Sequence, residues 1–490
     1  MDLRRFCTGR RMSGLPLGSA AVIFLTGVLS LTVLPYHIYT EGAGVAWIYA
    51  GIFVILQIAY GALSFRLMRY ARKNQGMYTV PSYFMARFGL SQPFRFVIAV
   101  FYIVIMLIIY SCILSGFAQI ISGFDVGNYI ICVIIVSSIG LLAVTCFGFS
   151  LLARAAVPAV IILSLTLCGI VANSVAKMGL GTIVRNTIWS DIQGSVSDYI
   201  NVMMKGQRYL YPEELIKYLS YGLVVFGFLP MMSVFIASPT ARMVKRGRRT
   251  TAIFSIILFV GASFFGGISR ALLYPMDTHE SASDYMYAIA FKLFRGDWVS
   301  NILGVGYVTS LILIIVIVSG MLLNVIVGIV STDLLAPALL KKTRSSEDRH
   351  KKEQMLIIAV SIFIAGLGAF IACGIRIEVH LIVFGMVAIC GIATGPAMIL
   401  SLYKKRMSGA GLGAGMMTGL MIYLALDSVE LIPSAASESG KISIGEYIGI
   451  GAVIPAFVIS LIVIVIVSRF TYKKDENREI MFDEVKNRIV

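Results

Sequence analysis

The chain is 490 residues long, 58% hydrophobic and 13% charged, with a mean hydropathy of +0.88. A soluble globular chain carries about 25% charged residues, so a single soluble core is excluded, and the long apolar runs lack the short alternating segments of a membrane β-barrel. The net charge of +16 would suggest nucleic acid in a soluble protein; here the basic residues fall in short loops between apolar runs, and no nucleic-acid partner is expected.

A helix needs about 20 apolar residues to cross a bilayer, and such runs recur roughly twelve times. The expectation is an all-α polytopic membrane protein with about 12 transmembrane helices. The first span covers about 14–35, carries Thr26, Gly27, Ser30 and Thr32, and ends at Pro35. The second covers about 45–65. A basic segment with Pro81 follows and reads as a short interfacial helix. The third covers about 96–121 and includes Tyr102; the fourth and fifth, about 127–147 and 153–176, meet in a tight turn at Gly148. A polar loop with Trp189 and Asp191 leads to the sixth span, about 216–237, which contains Tyr221 and is interrupted by Gly222, Gly227 and Pro230.

The seventh span covers about 251–274, and a second polar loop carries Asp277, Glu280 and Asp284. The eighth, about 303–340, is the stretch around which the chain is organised. It holds Thr309, Ser310, Ser319 and Asn324 within an apolar run and ends in Ser331, Thr332 and Asp333. Polar side chains inside a span are costly unless they face protein, water or a bound solute. Four more spans follow, about 355–375, 379–403, 412–432 and 446–468, and then a charged tail expected to be partly disordered.

With a cytoplasmic N-terminus, roughly three quarters of the Lys and Arg lie on the inner side. Both termini are therefore expected in the cytoplasm and the protein in the plasma membrane. The Gly/Pro-interrupted first and sixth spans are five apart, hence of opposite orientation. Interrupted helices in corresponding halves are the best sequence pointer to a transporter site near the midplane.

Several motifs in order resemble the sodium:solute symporter family: FCTGRRMSGLPLG at 6–18, Gly76 to Pro81 with Arg87-Phe88-Gly89, Gly222 to Pro230 with the basic loop after it, Ile329 to Leu335 with Asp333, and Gly395-Pro396 followed by Tyr403 to Arg406. The resemblance implies two inverted five-helix repeats with two trailing helices. The expected divisions are a cytoplasmic segment 1–13, a first repeat 14–176, an extracytoplasmic loop 177–215, a second repeat 216–403, trailing helices 404–468 and a cytoplasmic tail 469–490. The family carries one more helix before this core, so the start is expected to fall just after it. The resemblance also implies a cation site between the first span and a Ser/Thr pair on the eighth. Counted back from Asp333, that pair falls on Ile317 and Val318, which offer a hard cation no side-chain oxygen; Ser319 is the adjacent hydroxyl.

The candidate residues are thus Thr26, Ser30, Tyr102 and Tyr221 for a solute, and Gly27, Ser319 and Asn324 for a coupling cation, with Na+ as the ion. No cofactor is expected, and no HExxH, GxSxG or Walker A motif points to an enzyme. The reading is a secondary transporter moving a small neutral or zwitterionic solute by alternating access. The alternative is a transport-fold sensor or scaffold without turnover.

Overall fold

The computed structural model describes residues 3–9, 12–74, 76–123, 128–189, 199–205, 208–273, 282–339, 346–374, 379–428, 430–433, 441–443 and 451–487. Asp191, Asp277 and Glu280 lie outside the described residues. Ten helices are long and apolar enough to cross a membrane, and two bent pairs bring the number up to twelve among the described residues. The bent pairs are the first span, Gly14–Gly27 with Leu29–Glu41 at 45°, and the sixth, Pro212–Gly227 with Leu229–Ala237 at 48°. The unbroken spans are the second (Ala43–Lys73), third (Gln92–Ser122), fourth (Tyr129–Cys146), fifth (Gly148–Met178), seventh (Ala241–Leu273), eighth (Trp298–Leu339), ninth (Glu347–Gly374), tenth (Val383–Tyr403), eleventh (Gly409–Asp427) and twelfth (Val453–Thr471).

The eighth span sits at the centre. In its most apolar stretch 83% of the residues are buried against protein, against at most 56% for any other unbroken span. The outward faces of the outer helices carry exposed Ile, Leu, Val and Phe, as a bilayer-facing surface requires. The fourth and fifth spans meet at Gly148, whose φ of 59° is open to glycine and costly for residues with a Cβ. Eleventh and twelfth spans pack through small residues: a Cβ on Gly411 would lie 2.1 Å from Ser468 Oγ, and one on Gly415 2.0 Å from Ile464 Cγ1. Close backbone approach of this kind is what small residues provide between membrane helices.

The interfacial helix runs Val80–Phe88. Thr79 caps it, accepting from the Ser82 amide at 3.2 Å while Ser82 Oγ accepts from the Thr79 amide at 2.9 Å. Two polar stretches expected as loops contain helices, Leu180–Trp189 and Ala282–Phe294. The charged tail is a correction of the disorder expected for it: Glu476–Asn487 is helical. Its Phe482 and Val485 are buried, Arg69 donates to the Val485 carbonyl at 2.7 Å and Arg478 to the Phe88 carbonyl at 2.6 Å. The helix is amphipathic in context because the second span continues to Lys73 and gives it a surface to lie on.

Candidate functional site

The two bent spans meet at their bends. Phe24 and Phe228 stand edge to face with ring centroids 5.9 Å apart, and both are buried. The bends are built differently. The sixth span tightens into a 3-10 stretch, Tyr221–Gly227, and Phe228 is extended (φ −71, ψ 108) before helix resumes with Pro230 in its first turn. Proline there forfeits an amide that has no helical partner anyway. The first span does not unwind. It bends through two successive π turns, Ile23–Gly27 and Leu29–Val33, with Val28 between them still right-handed helical. The interruption inferred from Gly27 and Pro35 is therefore centred on Val28, and Pro35 opens the next helical stretch. Single π turns recur at functional sites because they re-aim backbone carbonyls.

Each expected site residue has a definite place. Thr26 is fully buried and donates to the Val22 carbonyl at 2.8 Å. Ser30 is fully buried, and its hydroxyl has no hydrogen-bond partner among the described residues. Gly27 is level with the eighth span at Ile314: a Cβ there would lie 3.6 Å from Ile314 Cγ2. Tyr102 is buried with its hydroxyl 3.0 Å from Thr394 Oγ1 on the tenth span. Tyr221 packs instead with Val224, Ala388, Ile392 and Tyr423, towards the tenth and eleventh spans.

Ser319 and Asn324 are not brought to Gly27. Ser319 lies five residues beyond Ile314, about 7.5 Å along the axis at 1.5 Å per residue. Its hydroxyl donates to the Ile315 carbonyl at 2.7 Å and abuts Gly140 of the fourth span, where a Cβ would lie 3.2 Å from Ser319 Oγ. Asn324 donates to the Phe6 carbonyl at 3.1 Å, tying the eighth span to the short helix Leu3–Thr8. A cavity of about 10 Å³ beside it is lined by Cys7, Thr79, Ser233 and Asn324 among others, room for about one water.

Three constellations were not singled out from sequence. At the sixth-span bend, the Cys390 thiol approaches the Gly227 carbonyl at 3.5 Å, one turn from Thr394 and its contact with Tyr102. A Cβ on Gly227 would lie 2.5 Å from the Gly391 carbonyl oxygen, so sixth and tenth spans touch backbone to backbone. The signal was present as the Gly391, Gly395 pair at i, i+4, which marks close helix approach. Further along the eighth span, Asp333 is buried with a full set of donors: Arg95 at 2.7 Å and Thr79 at 2.5 Å. Arg95 also donates to the Thr332 carbonyl at 3.0 Å. This knot joins the third span, the eighth span and the cap of the interfacial helix. At the opposite end Tyr36 and Tyr39 of the first span pack on Tyr285 at 5.9 and 5.1 Å, and Tyr285 donates to Ser269 at 2.9 Å.

A family model for the sodium:solute symporter family matches residues 6–419. The chain belongs to that family. The symporter is 23% identical over 477 residues to the osmoregulated proline transporter OpuE of Bacillus subtilis, covering 92% of this chain and 86% of that one. It is 22% identical over 514 residues to a sodium/proline symporter of Haemophilus influenzae, covering 98% and 91%. Its fold matches the substrate-bound outward-open state of a Na+-coupled sialic acid symporter with a TM-score of 0.73 at 14% identity, covering 97% and 94%. It also matches MhsT in complex with L-phenylalanine with a TM-score of 0.56 at 12% identity, covering 92% and 97%. The symporter is a multi-pass membrane protein and a secondary active transporter, not an enzyme. Family membership supports Na+ as its coupling ion and indicates no other cofactor.

Proposed function

We propose that this symporter moves a small neutral or zwitterionic solute, of amino-acid size, through the space between the bent first and sixth spans. The observation that carries the reading is the meeting of both bends, Phe24 against Phe228, beside the most buried span. Helices interrupted at mid-depth in opposite orientation are the part of such a fold that handles solute. Thr26, Ser30 and Tyr102 supply neutral hydroxyls, which suit a solute without net charge. The curated relatives named above are proline transporters, so proline is the first solute to test.

For the cation we assign backbone oxygens of the bent first span around Gly27, because Ile317 and Val318 are buried and apolar where the family's Ser/Thr pair is expected. Both termini are assigned to the cytoplasm and the protein to the plasma membrane, on the distribution of basic residues. The first ten spans are assigned to two inverted halves. A transport-fold sensor without turnover is the second reading, favoured by the same two apolar side chains.

Thermal unfolding of purified protein in Na+ or choline at equal ionic strength, with and without proline and other small solutes, tests the proposal. A ligand specific to the folded state raises its stability by mass action. Stabilisation by one solute class that grows with Na+ is the expected result. Stabilisation by a solute with no Na+ dependence would overturn the cation assignment.

A further inference from the structure

A second cavity lies on the face that carries the tail. This open cavity of about 200 Å³ is lined by the end of the interfacial helix, the connection between the tenth and eleventh spans, the end of the twelfth span and the start of the tail. Its walls carry four cationic side chains, Arg87, Lys405, Lys473 and Arg478, against two acidic ones, Asp475 and Glu479. This volume leaves room for a phosphodiester and its neighbouring glycerol.

The cationic groups are not equally committed. Arg87 donates to the carbonyls of Ser401, Lys404 and Lys405 at 3.0–3.1 Å. Lys405 pairs with Glu479 at 3.2 Å and Asp483 at 2.6 Å, and Arg478 with Asp475 at 3.0 Å. Both carboxylates on the wall are thus matched by cations. Lys473, exposed on the rim, makes no hydrogen bond or ion pair among the described residues. Two small hydroxyls, Ser408 Oγ and Thr471 Oγ1, sit 2.6 Å apart on the same wall.

The surroundings select the source of the anion. Ile462, Ile466 and Phe470 form an exposed stripe at i, i+4, i+8 down the twelfth span, and Phe470 is 82% exposed one residue before the cavity. Ala410, on the cavity wall, is followed on its own face by exposed Met417 and Met421 of the eleventh span. Two apolar, lipid-facing stripes therefore end at one basic cavity. Basic pockets between membrane helices at the cytoplasmic face take lipid headgroups.

We propose that this cavity binds the headgroup of an anionic phospholipid, its acyl chains lying along the exposed faces of the eleventh and twelfth spans. The headgroup phosphate bridges Lys473 to Lys405 and Arg478, and so fastens the tail helix to the membrane-embedded body.

Native mass spectrometry of the full chain in detergent, titrated with phosphatidylglycerol or with phosphatidylcholine of the same chains, tests this. Phosphatidylglycerol should bind at least tenfold more tightly. Each lysine near an anionic lipid surface is worth roughly fivefold, so Lys473→Gln should weaken its binding about fivefold and Lys405→Gln with Lys473→Gln about twenty-five-fold. Arg249→Gln, on the exposed start of the seventh span, should leave it unchanged. Equal binding of the two lipids, or a Lys473→Gln protein that binds phosphatidylglycerol normally, overturns the proposal. So does displacement of the lipid by millimolar inorganic phosphate, which would make the cavity a site for small anions.

Discussion

Gly227 leaves no room for a methyl group, because the atoms it would strike are the backbone of Gly391 and Gly395 at 2.5–2.6 Å. Overpacking of a close-fitted core costs about 1–3 kcal/mol, and backbone cannot swing aside as a side chain can. Gly227→Ala should lower the unfolding temperature and reduce uptake together, whereas Gly267→Ala, with nothing within 4 Å, should do neither. The Tyr102–Thr394 pair is a single buried hydrogen bond worth about 0.5–1.5 kcal/mol. If it is the whole of their interaction, Tyr102→Phe with Thr394→Val should cost no more in thermal stability than either change alone. Asp333 is the opposite case, a fully buried side chain paired with Arg95. Breaking such a pair by removing one partner costs about 3–5 kcal/mol, and removing both restores part of the loss. Asp333→Ala should therefore be more damaging to stability than Asp333→Ala with Arg95→Ala. These residues were unevenly legible: Asp333 was visible as a charge at the end of an apolar run, but its partners lie 238 and 254 residues away, and only the fold brings them together.

The tail helix is held by charge as much as by its buried Phe482. Lys405 faces Asp483 and Glu479, and these hydrogen bonds raise its pKa above the usual lysine value. The Tyr472 hydroxyl, followed by Lys405, lowers Glu479 below its ordinary 4.5. A lowered carboxylate stabilises the docked state above its ordinary pKa and loses that contribution as pH falls through the docked value. A raised lysine contributes below its ordinary pKa and loses it as pH rises through the docked value. Tail docking, read by spin-label distance between the tail helix and the interfacial helix, should be flat between those limits and loosen below about pH 4.5. Exposed pairs are screened by salt, so high ionic strength should loosen it as well. Composition alone gave no hint of this helix. Its apolar positions Ile480, Met481, Phe482 and Val485 are too few and too charge-diluted to stand out, and what orders it is the continuation of the second span to Lys73. The first span shows the same limit: glycine and proline located a bend to within a turn, but π turns carry no residue signature, so its form was not legible.

At the scale of the whole molecule, the spans were readable because a bilayer demands long apolar helices, and the two bent ones because glycine and proline are the residues that tolerate interruption. The side-chain part of the site was less so. Ser319 and Asn324 were attractive as polar residues in an apolar helix, yet any polar side chain buried there needs a partner, and protein carbonyls supplied it at Ile315 and Phe6. Polarity marked burial against protein without saying which neighbour. Ser319→Ala should therefore leave Na+ dependence of transport unchanged, in contrast to substitutions at the first-span bend. The most direct test of the account is uptake of labelled proline and other small solutes into proteoliposomes holding the purified protein. An inward Na+ gradient would be compared with choline at equal ionic strength. The account predicts that at least one solute accumulates above its external concentration under the Na+ gradient, and that dissipating the gradient abolishes the excess. Accumulation that is equal in choline, or binding of a solute with no uptake under any gradient, would contradict it.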